Sequence, residues 1–331
     1  MQKYDFIAIG DITTDAFIRI KDASVHCDVN KENCTLCVRF GDKIPYEFVE
    51  IIRAVGNSPN AAVGARRLGL SSALISNMGD DQNGRECLET LTKENVATEY
   101  VKVHPGKATN YHYVLWYENE RTILIKHEAY DYRLPDISGN CWLYLSSLGE
   151  NSLPFHEEIA NFVESHENVH LVFQPGTFQM KLGYEKLKRI YGMCKIFFCN
   201  IEEAKRILGT EESDISTLLA KMRDLGPKMI VMTDGPKGAY VQDENATWFM
   251  PPYPDPKEPY DRTGAGDAFA STFISALALG KSIPEALSWA PINAMSVRQE
   301  IGAQRGLLSR HEIEQILATA PPDYAPRKID K

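Results

Sequence analysis

The sequence predicts an α/β protein: a three-layer α/β/α core built on a mainly parallel sheet, with a small β-sheet lid. Short apolar strands alternate with helical stretches from about residue 169 onward, the rhythm of a parallel sheet covered on both faces. Two β-rich pieces, about residues 12–54 and 98–128, interrupt that rhythm and read as the lid. With no internal repeat and no low-complexity linker, residues 1–331 read as one domain with the lid inserted into it.

Taken in order, YDFIAIGD is a short buried strand that delivers Asp11 at its end. From Asp15 to about Arg53 the chain turns to short β-branched and polar pieces. Apolar positions 61, 62, 63, 65 and 68, closed by Gly69, predict a helix, SALISNMG a strand and GRECLETLTKEN another helix. TNYHYVLWYENERTILIKHE reads as a hairpin turning at Glu118-Asn119-Glu120, with His112 and Tyr113 on a packed face, toward a ligand or toward another subunit. Then come VHLVFQPG, KIFFCN with IEEAKRILG, ISTLLAKMRDLG and KMIVMTDG, a further hairpin, a proline-rich connection, and helices over about 264–280 and 284–300. SRHEIEQILATA is a last helical piece before a polar tail.

A net charge of −9 with 24% charged residues disfavours nucleic acid and anionic membrane as partners, because nothing offsets phosphate repulsion. No window approaches the ~18 apolar residues of a membrane span, and the N-terminus has no secretory pattern, so a cytoplasmic location and a small-molecule partner are expected. Seven cysteines are too few and too odd in number for a disulfide framework, which points to a reducing compartment.

DRTGAGDAF at 261–269 carries the chemistry. Gly264 and Gly266 allow close approach of the backbone, and a helix beginning there offers free amides and a dipole to a phosphate. Asp267 in the first turn is kept ionised by that dipole and is placed to take a proton, although a glycine turn with a helix-stabilising aspartate fits the same residues. The dinucleotide fingerprint fails, because Phe269 stands where its third glycine belongs. Gly280-Lys281-Ser282 fails as a Walker loop, because Ser275 replaces the first glycine and a helix ends there.

DRTGAGDAFASTF resembles the C-terminal signature of the ribokinase-like, or PfkB, family of carbohydrate and nucleoside kinases, and VGNSPNAAVGARRLG at 55–69 resembles its N-terminal one. MGDDQNG, NIEE, TDGPKG and IGAQ follow in the family's order, so the resemblance spans nearly the whole chain. It implies a ribokinase-like fold and an ATP- and Mg2+-dependent kinase acting on a hydroxyl of a sugar or sugar-like metabolite. The alternatives are a nucleoside kinase or a non-catalytic sugar or nucleotide sensor. It further implies an anion hole at Gly264, Ala265 and Gly266, with Asp267 as base, and a homodimer formed through the lid.

Carried over residue by residue, Asn200 and Glu203 match the element that holds magnesium, a spacing that also makes a capping box. Thr233, Gly235 and Gly238 match the loop beside the nucleotide, and Asn293 falls in the adenine-lining segment. Asp261 and the carbonyl of Thr263 match positions that bind an activating monovalent cation such as K+ in many relatives. Asp11, Asp15, Gly56, Asn57 and Asn60 match the acceptor site. Val55 departs from the usual Gly-Gly pair, which leaves the acceptor's identity open. Gln174 stands where many relatives carry an acidic residue and receives no role. HCDVNKENCTLC at 26–37 is foreign to the family: His26, Cys27, Cys34 and Cys37 are either zinc ligands or thiols packed in the lid.

Overall fold

The computed structural model describes residues 3–28, 34–118 and 120–329. Residues 29–33 of the cysteine segment and Asn119 of the expected hairpin turn lie outside them. The core is a ten-stranded sheet among the described residues. At its centre Phe6–Ile9 pairs in parallel with Ser72–Gly79 on one side and Cys141–Leu145 on the other. Its residues alternate between two cores: Phe6 and Ala8 enter one apolar cluster, Ile7 and Ile9 the second. This double burial explains why the strand reads as a continuous apolar run rather than an alternating one.

From Cys141–Leu145 the sheet continues in parallel through Val169–Phe173, Ile196–Asn200 and Met229–Thr233. It then turns antiparallel through Ala239–Gln242, Thr247–Met250 and Arg327–Ile329. The polar tail therefore supplies an edge strand, whose Arg327 and Lys328 suit an edge that must not recruit another sheet. Val101–His104 pairs with Ser72–Gly79 and so belongs to the core rather than to the lid assigned to 98–128.

The lid is a four-stranded sheet in the order Tyr46–Val55, Thr13–Ile20, Asn110–Tyr117 and Glu120–Leu124. Alternation gives it two faces: Asp15, Phe17, His112 and Ile123 line a cavity against the core, while Ile51, Tyr113 and Leu124 are exposed on the other. Beyond it, Ser24–His26 and Thr35–Cys37 form a small antiparallel pair. Here the cysteine expectation changes. Cys27 and Cys34 are joined in a disulfide, which leaves neither thiolate for a metal, and the described residues assemble no group of three or more metal-ligating side chains. The His26 ring meets Ser24 Oγ at 3.2 Å instead.

Other differences are local. FQPGTFQMKLG holds a short helix, Thr177–Leu182, after its strand, and the helix expected from residue 61 begins at Asn57. That earlier start matters, because it puts Asn57 and Asn60 on the first turn of the helix Asn57–Arg67. This helix packs on Ala265–Ala278, which packs in turn on Ile283–Val297, with Phe273 and Trp289 buried between layers. Gly64 sets the closeness of the first pair: a Cβ there would lie 2.6 Å from Ser271 Oγ. No helix among the described residues is long and apolar enough to cross a membrane.

Gly64→Val should push these two helices apart and cost about 1–3 kcal/mol, the usual effect of overpacking. A thermal melt checks this; an unchanged Tm would mean that the helices do not depend on that contact.

Candidate active site

The site is organised around the start of the helix Ala265–Ala278. Its N-cap, Gly264, has φ 78°, a left-handed conformation, and a Cβ there would overlap that of Ala303. The first amides of a helix lack an intrahelical acceptor, and the dipole adds positive potential where they point. Gly266 has open space where a Cβ would stand.

Asp267, in the first turn, is buried with three amide donors on its carboxylate. Asn57 Nδ2 donates to Oδ1 at 2.7 Å, Gln174 Nε2 to Oδ1 at 3.2 Å, and Asn60 Nδ2 to Oδ2 at 2.8 Å. A second ring of bonds aims two of those donors. Gln304 Nε2 donates to Asn60 Oδ1 and to the carbonyl of Ala54, and the Tyr144 hydroxyl donates to Gln174 Oε1. Burial pushes the Asp267 carboxyl above the usual aspartate range, while the three amides pull it back toward the ionised form.

Two cavities meet at this helix start. The first, about 320 Å³, lies under the lid and is lined by Asp11, Asp15, Gly56, Asn57 and Asn60, together with Thr263, Gly264 and Asp267. Phe17, Ile123, Ile125 and Phe178 form an apolar wall in it. The second, about 500 Å³, is lined by Thr233, Gly235 and Gly238, by Ala265 and Gly266, and by Pro291 and Ala294. The four-residue stretch Gly264–Asp267 is therefore shared, two residues facing each side.

Within the first cavity, Asp11 accepts the Tyr132 hydroxyl at 2.9 and 3.1 Å and lies 3.0 Å from His127 Nδ1. Asp15 Oδ1 stands 3.3 Å from His112 Nδ1, an ion-pair contact without hydrogen-bond geometry, and His112 Nε2 has no hydrogen-bond partner. Buried polar atoms left in this state are unusual in a finished core and common where a ligand completes the set. Gly56 has φ 121°, and a Cβ there would sit 2.6 Å from the Asp11 carbonyl. The tight turn thus holds Asp11 beside the asparagine-bearing helix.

Asn200 and Glu203 form a reciprocal capping box, with N–H···O distances of 2.9 and 2.8 Å. Asn200 is the sheet neighbour of Thr233. Burial raises the Glu203 carboxyl, opposed by the Asn200 N–H and the Arg206 charge. Asn293 is not part of the second cavity. It is fully buried on another face of its helix, donating to Thr272 Oγ1 at 2.7 Å and accepting from the Leu308 N–H at 2.9 Å, so its neighbours Pro291 and Ala294 form the wall. Asp261 is fully buried and accepts the Thr263 and Gly302 N–H groups at 2.6 and 2.8 Å. Its other partner is Arg121 of the lid, at 2.7 Å.

Sequence reasoning left four contributors without a role: Gln174, Gln304, Tyr144 and Arg121. Gln174 and Gln304 both lay in segments already singled out. Only the folded path shows that their amides converge on Asp267 and Asn60.

Gly264→Ala should destabilise the protein by about 1–2 kcal/mol from the left-handed backbone alone, with the Ala303 overlap adding to it. Calorimetric unfolding measures this, and a neutral effect would show that the loop before Asp267 can relax.

Residues 52–310 match the model of the pfkB family of carbohydrate kinases. The chain is 27% identical over 269 residues to a ribokinase of Bacillus subtilis, an alignment covering 80% of this chain and 87% of the relative. It is 25% identical over 256 residues to a nucleoside kinase of Methanothermobacter thermautotrophicus, covering 76% and 80%. In fold it is similar to the Arabidopsis thaliana ribokinase complexed with ribose and ATP, with a TM-score of 0.80, 20% identity, and 96% and 99% of the two chains covered. The central sheet with its flanking helices and separate lid sheet is the ribokinase fold. By its matched span, well over half of the sequence, the chain belongs to the pfkB family of carbohydrate kinases, phosphotransferases that act on sugars and related molecules.

Proposed function

We propose that this kinase transfers the terminal phosphoryl group of ATP to a hydroxyl of a sugar or sugar-like metabolite bound under the lid. The observation that carries this reading is the meeting of two cavities at Gly264–Asp267. The acceptor occupies the cavity with Asp11, Asp15, Gly56, Asn57 and Asn60, and the nucleotide lies along Thr233, Gly235 and Gly238. The amides of Gly264, Ala265 and Gly266 then face the transferring group from a helix N-terminus, where negative charge is stabilised. Asp267 accepts the proton of the attacking hydroxyl.

The amides of Asn57, Asn60 and Gln174 keep Asp267 ionised and aimed, so little reorganisation is needed at the moment of transfer. Phosphoryl transfer asks mainly for positioning and charge neutralisation, which suits a site made of amides and one carboxylate. Magnesium supplies part of that neutralisation when bound. The Glu203 carboxylate at the strand-to-helix junction beside Thr233 fits an ion held largely through its own waters, and Asn200 orients that carboxylate through its N–H. The Asp15 carboxylate beside His112 Nδ1, together with a His112 Nε2 that has no hydrogen-bond partner, favours an acceptor with several hydroxyls. The apolar wall of Phe17, Ile123, Ile125 and Phe178 favours, as a second reading, a nucleoside whose base stacks there.

The lid also supports a homodimer. Ile51, Tyr113 and Leu124 occupy neighbouring register positions on its outer face, and all three are exposed. Leu124→Asp is expected to shift a dimer toward monomer in analytical ultracentrifugation; an unchanged sedimentation coefficient would place any interface elsewhere.

A nucleotide-coupled assay over sugars and nucleosides tests the main reading. Asp267→Asn should lower kcat by roughly 10²-fold or more while nucleotide affinity stays within about threefold. Undiminished turnover would remove the base assignment. The raised Asp267 pKa sets the sign of the pH dependence: the carboxylate gains its proton as pH falls through a value above the ordinary aspartate range, and kcat falls with it. Gln174→Ala deletes a donor to the ionised form, so its acid limb should move to higher pH. Stability runs the other way, because the folded state binds this proton more tightly than the unfolded one and is relatively favoured at low pH.

A further inference from the structure

Asp261 is a buried carboxylate three residues before Gly264, and its two oxygens tie together the loops that frame the helix start. Oδ1 accepts the Thr263 N–H and Oδ2 the Gly302 N–H, next to the Ala303 that packs against Gly264. An isolated charge so buried is strongly unfavourable unless a cation accompanies it. The Asp261 carboxylate and Thr263 carbonyl are where the resemblance implies a monovalent cation. The residues present do not fit that ion. Arg121 Nη2 lies 2.7 Å from Asp261 Oδ1, in a side chain only 8% exposed, so a fixed positive charge already fills the neighbourhood.

Arg121 arrives from the lid strand Glu120–Leu124, and its approach is supported on several sides. The guanidinium carbon lies 5.4 Å from the centroid of the Trp116 ring, and Trp116 meets Tyr260 edge-on at 5.0 Å. Arg262, beside Asp261, pairs with Glu120 at 3.3 Å. The lid therefore grips the segment 260–262, and Ile52 of the lid fills the space above Gly302.

We infer that Arg121 is a positioning residue that replaces the activating monovalent cation with a tethered guanidinium, so that docking of the lid itself completes the loops around the anion hole. This rests on the reading of Gly264–Asp267 as the site of phosphoryl transfer. Two consequences follow. The wild-type protein needs no added K+, Na+ or ammonium. Removing the guanidinium leaves a buried carboxylate in want of a cation, and so creates a dependence that the wild type lacks.

The test uses the full chain as wild type, Arg121→Ala and Arg121→Lys, with tetramethylammonium chloride holding ionic strength while KCl, ammonium chloride or millimolar guanidinium chloride is exchanged in. For the wild type, kcat should change less than about twofold. For Arg121→Ala it should fall at least about tenfold and recover in part with K+, ammonium or guanidinium, whereas Arg121→Lys should stay insensitive to added cation. Stimulation of the wild type several-fold by K+ would overturn the inference, as would an Arg121→Ala variant that is fully active or cannot be rescued by any cation. A melting-temperature series in the same salts needs no turnover: K+ should raise the Tm of Arg121→Ala and not that of the wild type, and equal shifts would count against the inference. If Arg121→Ala does not fold, the wild-type and lysine arms still decide. Absence of wild-type turnover on every acceptor would speak against the proposed function, while the melting series would still judge Arg121.

Discussion

The burial of one carboxylate at the start of one helix is the constraint on which the rest of this structure depends. Three side-chain amides converge on Asp267 and favour its ionised form against the effect of burial, two of them from the first turn of one helix and the third from the end of a distant strand. Asn57 and Asn60 need the helix Asn57–Arg67 to lie close against Ala265–Ala278, which Gly64 permits. Gln174 needs the strand Val169–Phe173 to end beside them. Much of the core geometry can be read as the means of holding these donors in place, since one missing donor would leave the charge under-compensated in a poor dielectric.

The same logic extends outward to Asp261. A second buried carboxylate braces the loops before Gly264 and beside Ala303, and its countercharge belongs to the lid. Core and lid thus share an electrostatic contact as well as a cavity. The ion pair of Arg305 with Glu50 and the contact of Ile52 with Gly302 lie on the same boundary. These contacts tie the position of the lid sheet to the loops that precede and flank the helix start at Gly264, and under the proposed function they would give lid closure a physical route to the reacting atoms.

Much of the fold was legible because its signals are local. Apolar runs such as YDFIAIGD, glycine stops and capping patterns mark strands and helices within a few residues of one another. The family was legible through DRTGAGDAF and its ordered companions, whereas the surroundings of Asp267 depend on residues far away in the chain. Elements whose identity rests on distant pairing escaped: Arg327–Ile329 is polar and becomes a strand only because Thr247–Met250 offers it an edge. Asn293 misled for a related reason, since helical phase decides which of residues 291–294 faces a cavity and no local pattern fixes it. Gln174 was silent because an amide has no role until something places a carboxylate 3.2 Å away. The cysteine segment suggested zinc by spacing alone, while the chain instead brings Cys27 to Cys34.

The central claim is that a phosphoryl group passes between two cavities across Gly264–Asp267. A crystal structure of the protein with a non-hydrolysable ATP analogue, magnesium and an accepted sugar or nucleoside tests it most directly. The account predicts the terminal phosphate against the amides of Ala265 and Gly266, with an acceptor hydroxyl within hydrogen-bond reach of Asp267. A terminal phosphate away from this helix start, or an acceptor whose nearest base is any residue other than Asp267, would contradict it.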